Sequence, residues 1–215
     1  MKALPGENSA PEAACGGNDS WKQGNVLFDR SRSTDTHEWG VSLAGGKIAF
    51  GVTGATGAKH TLCSQVRVDD GQWHHIALVR VNRAFLLYVD GVATWMATYA
   101  PSNVNNDGNF YLGSAANSEA YHLDGLLDEF RIVKGIAVWI EDFTPPTAEY
   151  LPTQPVVTEP QASPDFVCHF DGGIFDASGN NTTVAETGAV EYVAGKFDEA
   201  GKYDGTQSVS YTHLR

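Results

Sequence analysis

Basic residues are scarce: the 215-residue chain carries 14 Lys+Arg against 26 Asp+Glu, a formal net charge of -12. The summed field of such a chain repels phosphate backbones and anionic headgroups, which excludes nucleic acid and bare membrane as expected partners. Divalent cations, or neutral ligands held by hydrogen bonds and aromatic stacking, are compatible with this charge, though plain solvation is the favoured account of it. Long apolar runs are missing as well. No stretch reaches the ~18 apolar residues of a membrane span, and no apolar run of signal-peptide length precedes Ala13-Ala14-Cys15, so no targeting segment is expected. Cysteine is sparse too. Cys15, Cys63 and Cys168 are widely spaced and form no C-x-x-C pair, which points away from a zinc knuckle or a disulfide framework. The odd count leaves at least one thiol free, and isolated cysteines in apolar strands read as small buried hydrophobes.

What is present is turn chemistry between short apolar runs. Apolar residues make up 42% of the chain and glycine occurs 23 times, the composition of an all-β protein with many turns. Residues 1–20, rich in Pro, Gly, Ala and Asn, predict a flexible leader. In EWGVSLAGG, Trp39, Val41 and Leu43 share one face by period-two alternation, and Ile48, Phe50 and Val52 do the same in GKIAFGV. The stretch DGQWHHIALVRVNRAFLLYVDGVATWMATYA predicts three consecutive strands with turns at Asn82-Arg83 and Asp90-Gly91, the second suited to a type I′ hairpin. NFYLGS, AYHLDG and LLDEFRIVKG add short strands. Residues 151–165 belong to a proline-rich stretch without alternation and predict a linker. Alternation resumes at residue 166, with Phe166, Cys168 and Phe170 on one face. Regular short strands broken by turns point to a two-sheet antiparallel sandwich.

DGQWHHIALVR, LLYVDGV, NFYLGS and GLLDEFRIVKGIAVWIEDFTPPT occur in an order and spacing that resemble a laminin-G-like domain of the concanavalin A-like jelly-roll superfamily. The last of them is similar to a pattern common in versions from phage tail and bacterial surface proteins. The resemblance covers roughly residues 24–150. The family's opening portion normally precedes the strand seen here as VLFDR, yet its likeness, FVCHFDGG, DASGNNTTV and GKFDEAGKYDGTQSVSY, follows the linker. A unit over 21–150 therefore lacks its first strands, and 166–215 resembles the N-terminal strands of a second, permuted or swapped unit. A piece of a tandem array, a circular permutant completed in cis, and strand exchange with another copy or a neighbouring repeat all fit; we favour the tandem piece, its tail folding on exposed edges in cis or in trans. The family's FTIEFWV-like strand is recognisable in neither part.

The candidate chemistry is modest. His74 and His75, adjacent in a strand, point to opposite faces and cannot share a metal. The E-x-D-x-x-E pattern of related glucanases is absent, and neighbouring Asp128 and Glu129 face opposite ways, so no enzyme is expected and a glycoside hydrolase is the least favoured reading. The resemblance implies a structural calcium ion, with Asp128 and Asp171 as metal ligands carried over by motif. Glycan binding needs an exposed aromatic beside amides or carboxylates, and the loop candidates are Trp95, Tyr99, Asn105, Asn106, Asp107 and Tyr121. The expected function is a non-catalytic module recognising carbohydrate or a surface polymer within a larger adhesin or tail fibre, outside the cell or on a virion. The alternative is a purely structural spacer repeat. Asp90 is expected to form a turn rather than to bind ligand.

Overall fold

The computed structural model describes residues 1–8, 10, 20–30, 38–53, 59–98, 109–115, 122–150, 166–178, 180 and 182–212. After a 3-10 turn at Ser20–Gln23, the strands are β1 (Asn25–Arg30), β2 (Trp39–Ala44), β3 (Lys47–Thr53), β4 (Lys59–Arg67), β5 (Ile76–Val81), β6 (Ala84–Val89), β7 (Val92–Thr98) and β8 (Phe110–Leu112). They continue as β9 (Asp124–Leu127), β10 (Phe130–Ile132), β11 (Phe166–Cys168), β12 (Thr183–Thr187), β13 (Glu191–Ala194), β14 (Glu199–Asp204) and β15 (Ser208–Thr212). The fold is an all-β antiparallel sandwich. One layer is a seven-stranded sheet in the order β12-β15-β8-β1-β2-β3-β4; facing it are three smaller sheets, β5-β6-β7, β10-β11 and β13-β14-β9.

Period-two alternation builds the core as the sequence predicts. Trp39, Val41 and Leu43 pair across β2–β3 with Val52, Phe50 and Ile48, and these six residues join one apolar cluster with Phe85, Leu87, Phe166, Tyr203 and Val209 from the other strands. The expected two-residue turns are present: Asn82-Arg83 links β5 to β6 and Asp90-Gly91 links β6 to β7, with φ 52° at Asp90 and 80° at Gly91. A side chain at Gly91 would also strike the Phe143 carbonyl, so the position needs glycine twice over.

Strands after residue 165 enter the same sheets as those before residue 150. β11 pairs with β10, β14 with β9 and β15 with β8, all within one chain. The proposed linker, 151–165, lies outside the described residues. The leader expected over 1–20 is corrected at its start. Lys2 forms a bridge with Leu126, Gly71 N donates to Ala3 O at 2.9 Å, and Met1 and Ala3 are buried in the core cluster. The cause is again alternation: Met1 and Ala3 face inward while the backbone is taken up on both sides. The cysteine reading also needs correcting, because Cys63 is disulfide-bonded; Cys168 is the free, buried thiol, and Cys15 lies outside the described residues.

Candidate functional site

A cleft of about 1230 Å³ lies between β5 and β10. Its walls pass through the thickness of the smaller layer. On the core side stand Phe28, Trp39, Phe50 and Leu78; on the outer side stand Ala77, Val79, Arg131 and Trp139. Residues 137–143, which follow β10, cross the outer face of β5 and β6 as a strap: Trp139 stacks on Phe143 with ring centroids 4.1 Å apart, and both pack with Ala77, Val79 and Tyr88. Asp142 accepts the Ala93 amide at 2.8 Å and Gly91 O accepts the Phe143 amide at 2.9 Å, which pins the strap to the β6–β7 turn. Arg131 lies 4.0 Å over the Tyr150 ring and 5.4 Å from that of Trp139.

The two histidines at the head of β5 go to separate environments. His75 is enclosed edge-on by Trp139 and Phe143, with Nε2 3.1 Å from the Tyr150 hydroxyl. Burial in this apolar box drives its pKa down to about 4, so it is neutral at physiological pH. His74 instead bridges two carboxylates, Nδ1 to Asp90 at 2.7 Å and Nε2 to Asp70 at 2.9 Å. Burial opposes its charge, yet the two carboxylates outweigh it and raise the pKa. Asp90 thus turns the chain and holds it, since its second oxygen accepts the His75 amide at 2.8 Å.

Of the sequence-derived glycan residues, Trp95 lies on β7 with 41% of its surface exposed. Tyr99, Asn105, Asn106, Asp107 and Tyr121 lie outside the described residues. The two proposed metal ligands have different surroundings. Asp128 braces the β13–β14 loop, its Oδ2 accepting the amides of Lys196 (2.6 Å) and Phe197 (3.0 Å); burial lifts its pKa to about 6 against those bonds. Asp171 instead meets Glu149 and Asp198, with one oxygen from each within 4.8 Å of the others. Three carboxylates are a hard-oxygen set, which fits calcium or magnesium rather than zinc. Glu149 and Asp198 are far apart in sequence and carry no ligand spacing, so only tertiary structure could show them beside Asp171. Glu129, next to Asp128, faces elsewhere: it accepts the Tyr150 amide and pairs with His169 at 2.6 Å.

A seven-stranded antiparallel sheet packed against smaller sheets defines the class as a β-sandwich domain. The chain belongs to the laminin-G-like family described as the concanavalin A-like lectin/glucanases superfamily, whose profile matches residues 17–137. No curated protein matches the chain. The family match ends at residue 137, whereas β11 to β15, which complete the same sheets, lie beyond it.

Proposed function

We infer that the chain is a non-catalytic binding module that recognises carbohydrate or a surface polymer, as one part of a larger adhesin or tail-fibre protein outside the cell or on a virion. The observation that carries this reading is the β7 edge. Val92, Trp95 and Met96 are 56%, 41% and 68% exposed, and an exposed indole suits stacking on a sugar ring. Membership of a lectin-containing superfamily supports the ligand class, while fold alone does not fix it. Glycoside hydrolysis calls for two carboxylates roughly 5 to 9 Å apart across a groove; at the cleft, Asp128 and Glu129 are each engaged by different backbone amides, which favours binding over cleavage. Asp171, Glu149 and Asp198 would hold a structural calcium ion. Among the described residues no helix is long and apolar enough to cross a membrane.

The test is a glycan array probed with the chain and with Trp95→Ala, in calcium and in chelator. Binding by the parent that falls at least tenfold in the variant is expected. Silence of the parent under both conditions would overturn the reading and leave a structural spacer.

A further inference from the structure

The strap over residues 137–143 closes on a histidine whose surroundings suit only its neutral form. The His75 ring meets Trp139 and Phe143 edge-on, with centroids 5.4 and 5.5 Å away, and its Nε2 lies 3.1 Å from the Tyr150 hydroxyl. An imidazolium donates from both nitrogens, whereas the two rings that close on it supply no oxygen or nitrogen acceptor in return. Charges on the neighbouring elements do not make up the loss. Arg131 of β10, stacked over Tyr150 and near Trp139, repels a second cation, as does the Met1 amino group. Asp90 of the β6–β7 turn attracts one, yet its oxygens are engaged by the His74 ring and the His75 amide. The strap's own carboxylates, Glu141 and Asp142, lie toward Tyr88 of β6, and Asp142 accepts the Ala93 amide.

The strap is also separable from the core. Trp139 and Phe143 pack with Ala77, Val79 and Tyr88 in a cluster of their own on the outer face, apart from the one that joins the sheets. At its far end the bonds from Ala93 N to Asp142 (2.8 Å) and from Phe143 N to Gly91 O (2.9 Å) pin it to the hairpin. A segment held in this way can open while the core stays folded. We propose that the strap is an acid-released latch, closed over β5 and β6 while His75 is neutral and lifted, with the sandwich intact, when His75 takes up a proton. Lifting uncovers Ala77, Val79 and Tyr88, so acid exposes an apolar face that neutral pH conceals. The sign follows from burial. His75 titrates at about 4 when enclosed and near ~6.5 when free, so closure is fully favoured above pH ~6.5 and weakens as pH falls toward 4. That difference corresponds to roughly 300-fold in the closing equilibrium. His74, whose pKa is raised, is mostly charged throughout this window and contributes little change of its own. The latch is independent of the carbohydrate reading.

The test is hydrogen exchange of the 215-residue chain between about pH 7 and pH 3.5, corrected for the intrinsic pH dependence of exchange. The amides of Ala93 and Phe143 should lose protection by up to roughly 300-fold as pH falls from ~6.5 to ~4, while those of β2 and β3 keep theirs. Asp128, with its pKa lifted to about 6, titrates in the same window and is followed separately at the Lys196 and Phe197 amides that it holds. His75→Phe should keep the strap amides protected across the range. NMR titration of His75 in the parent gives a second measurement that no folding defect of the variant can disturb, and a value near 4 is expected. Strap amides indifferent to pH overturn the proposal, and so does equal loss of protection in His75→Phe. Loss at β2 and β3 in step with the strap would mark global unfolding, and His75 titrating near ~6.5 beneath a protected strap would mean that the box tolerates the charge; either result overturns the latch as well.

Discussion

Gly40 and Gly51 stand opposite each other across β2 and β3, and the buried indole of Trp21 fills the space their missing side chains leave. A methyl group at either position would overlap that ring, so Gly51→Ala should cost about 2 kcal/mol or more in urea denaturation. At the same scale, the two histidines predict opposite pH effects. His75 has a folded pKa near 4, below the usual 6.5, so unfolded chains take up a proton that the folded chain refuses. Stability present above pH ~6.5 is then lost as pH falls toward 4, on the order of 3 kcal/mol at full effect. His75→Phe should flatten that limb of a Tm-against-pH curve. His74, whose folded pKa is raised, contributes stability below the unfolded pKa that fades as pH rises through the folded one. Asp90→Asn should weaken this second limb to the part that Asp70 supports, and should lower the His75 titration further, because the Asp90 charge favours both imidazolium ions. At the carboxylate group, calcium should raise the Tm of the parent, and Asp171→Asn should remove that rise; a Tm indifferent to calcium and chelator would count against an ion there.

At the level of elements, the hairpins β5-β6-β7 were legible because Asp90-Gly91 and Asn82-Arg83 interrupt runs of clear period two. The strap over residues 137–143 was not. Trp139 and Phe143 are spaced without strand periodicity, and their value comes from stacking on each other over a face built by distant residues. Trp139→Ala should destabilise the chain by about 2–3 kcal/mol, since it removes a half-buried ring and its contacts with His75 and Phe143. Loss of the box should also admit water to His75 and move its titration, followed by NMR, upward toward 6.5. The leader was misread for a related reason. Composition over 1–20 is that of a loop, and a short docking segment does not outweigh it until a partner edge, Leu126, is in view.

Among the described residues, five strands after residue 165 are interleaved with those before residue 133, so the sheets draw on both parts. Residues 1–150 expressed alone would expose the edges of β8, β9 and β10 and are expected to aggregate or to unfold without a cooperative transition by circular dichroism. Adding a 166–215 fragment in trans should restore one. The 215-residue chain running as a monomer at every dilution in size-exclusion chromatography would agree with pairing in cis.

By itself the sequence determined the all-β class, the strand faces, the two hairpin turns and the family, because each rests on local periodicity or on motifs read in order along the chain. Only tertiary structure decided that Asp171 meets Glu149 and Asp198 while Asp128 braces a loop, that Asp90 clamps His74, and that strands from both ends of the chain share sheets. Carboxylate clusters and long-range strand pairings are properties of which distant backbones lie side by side, and no one-dimensional pattern encodes that adjacency.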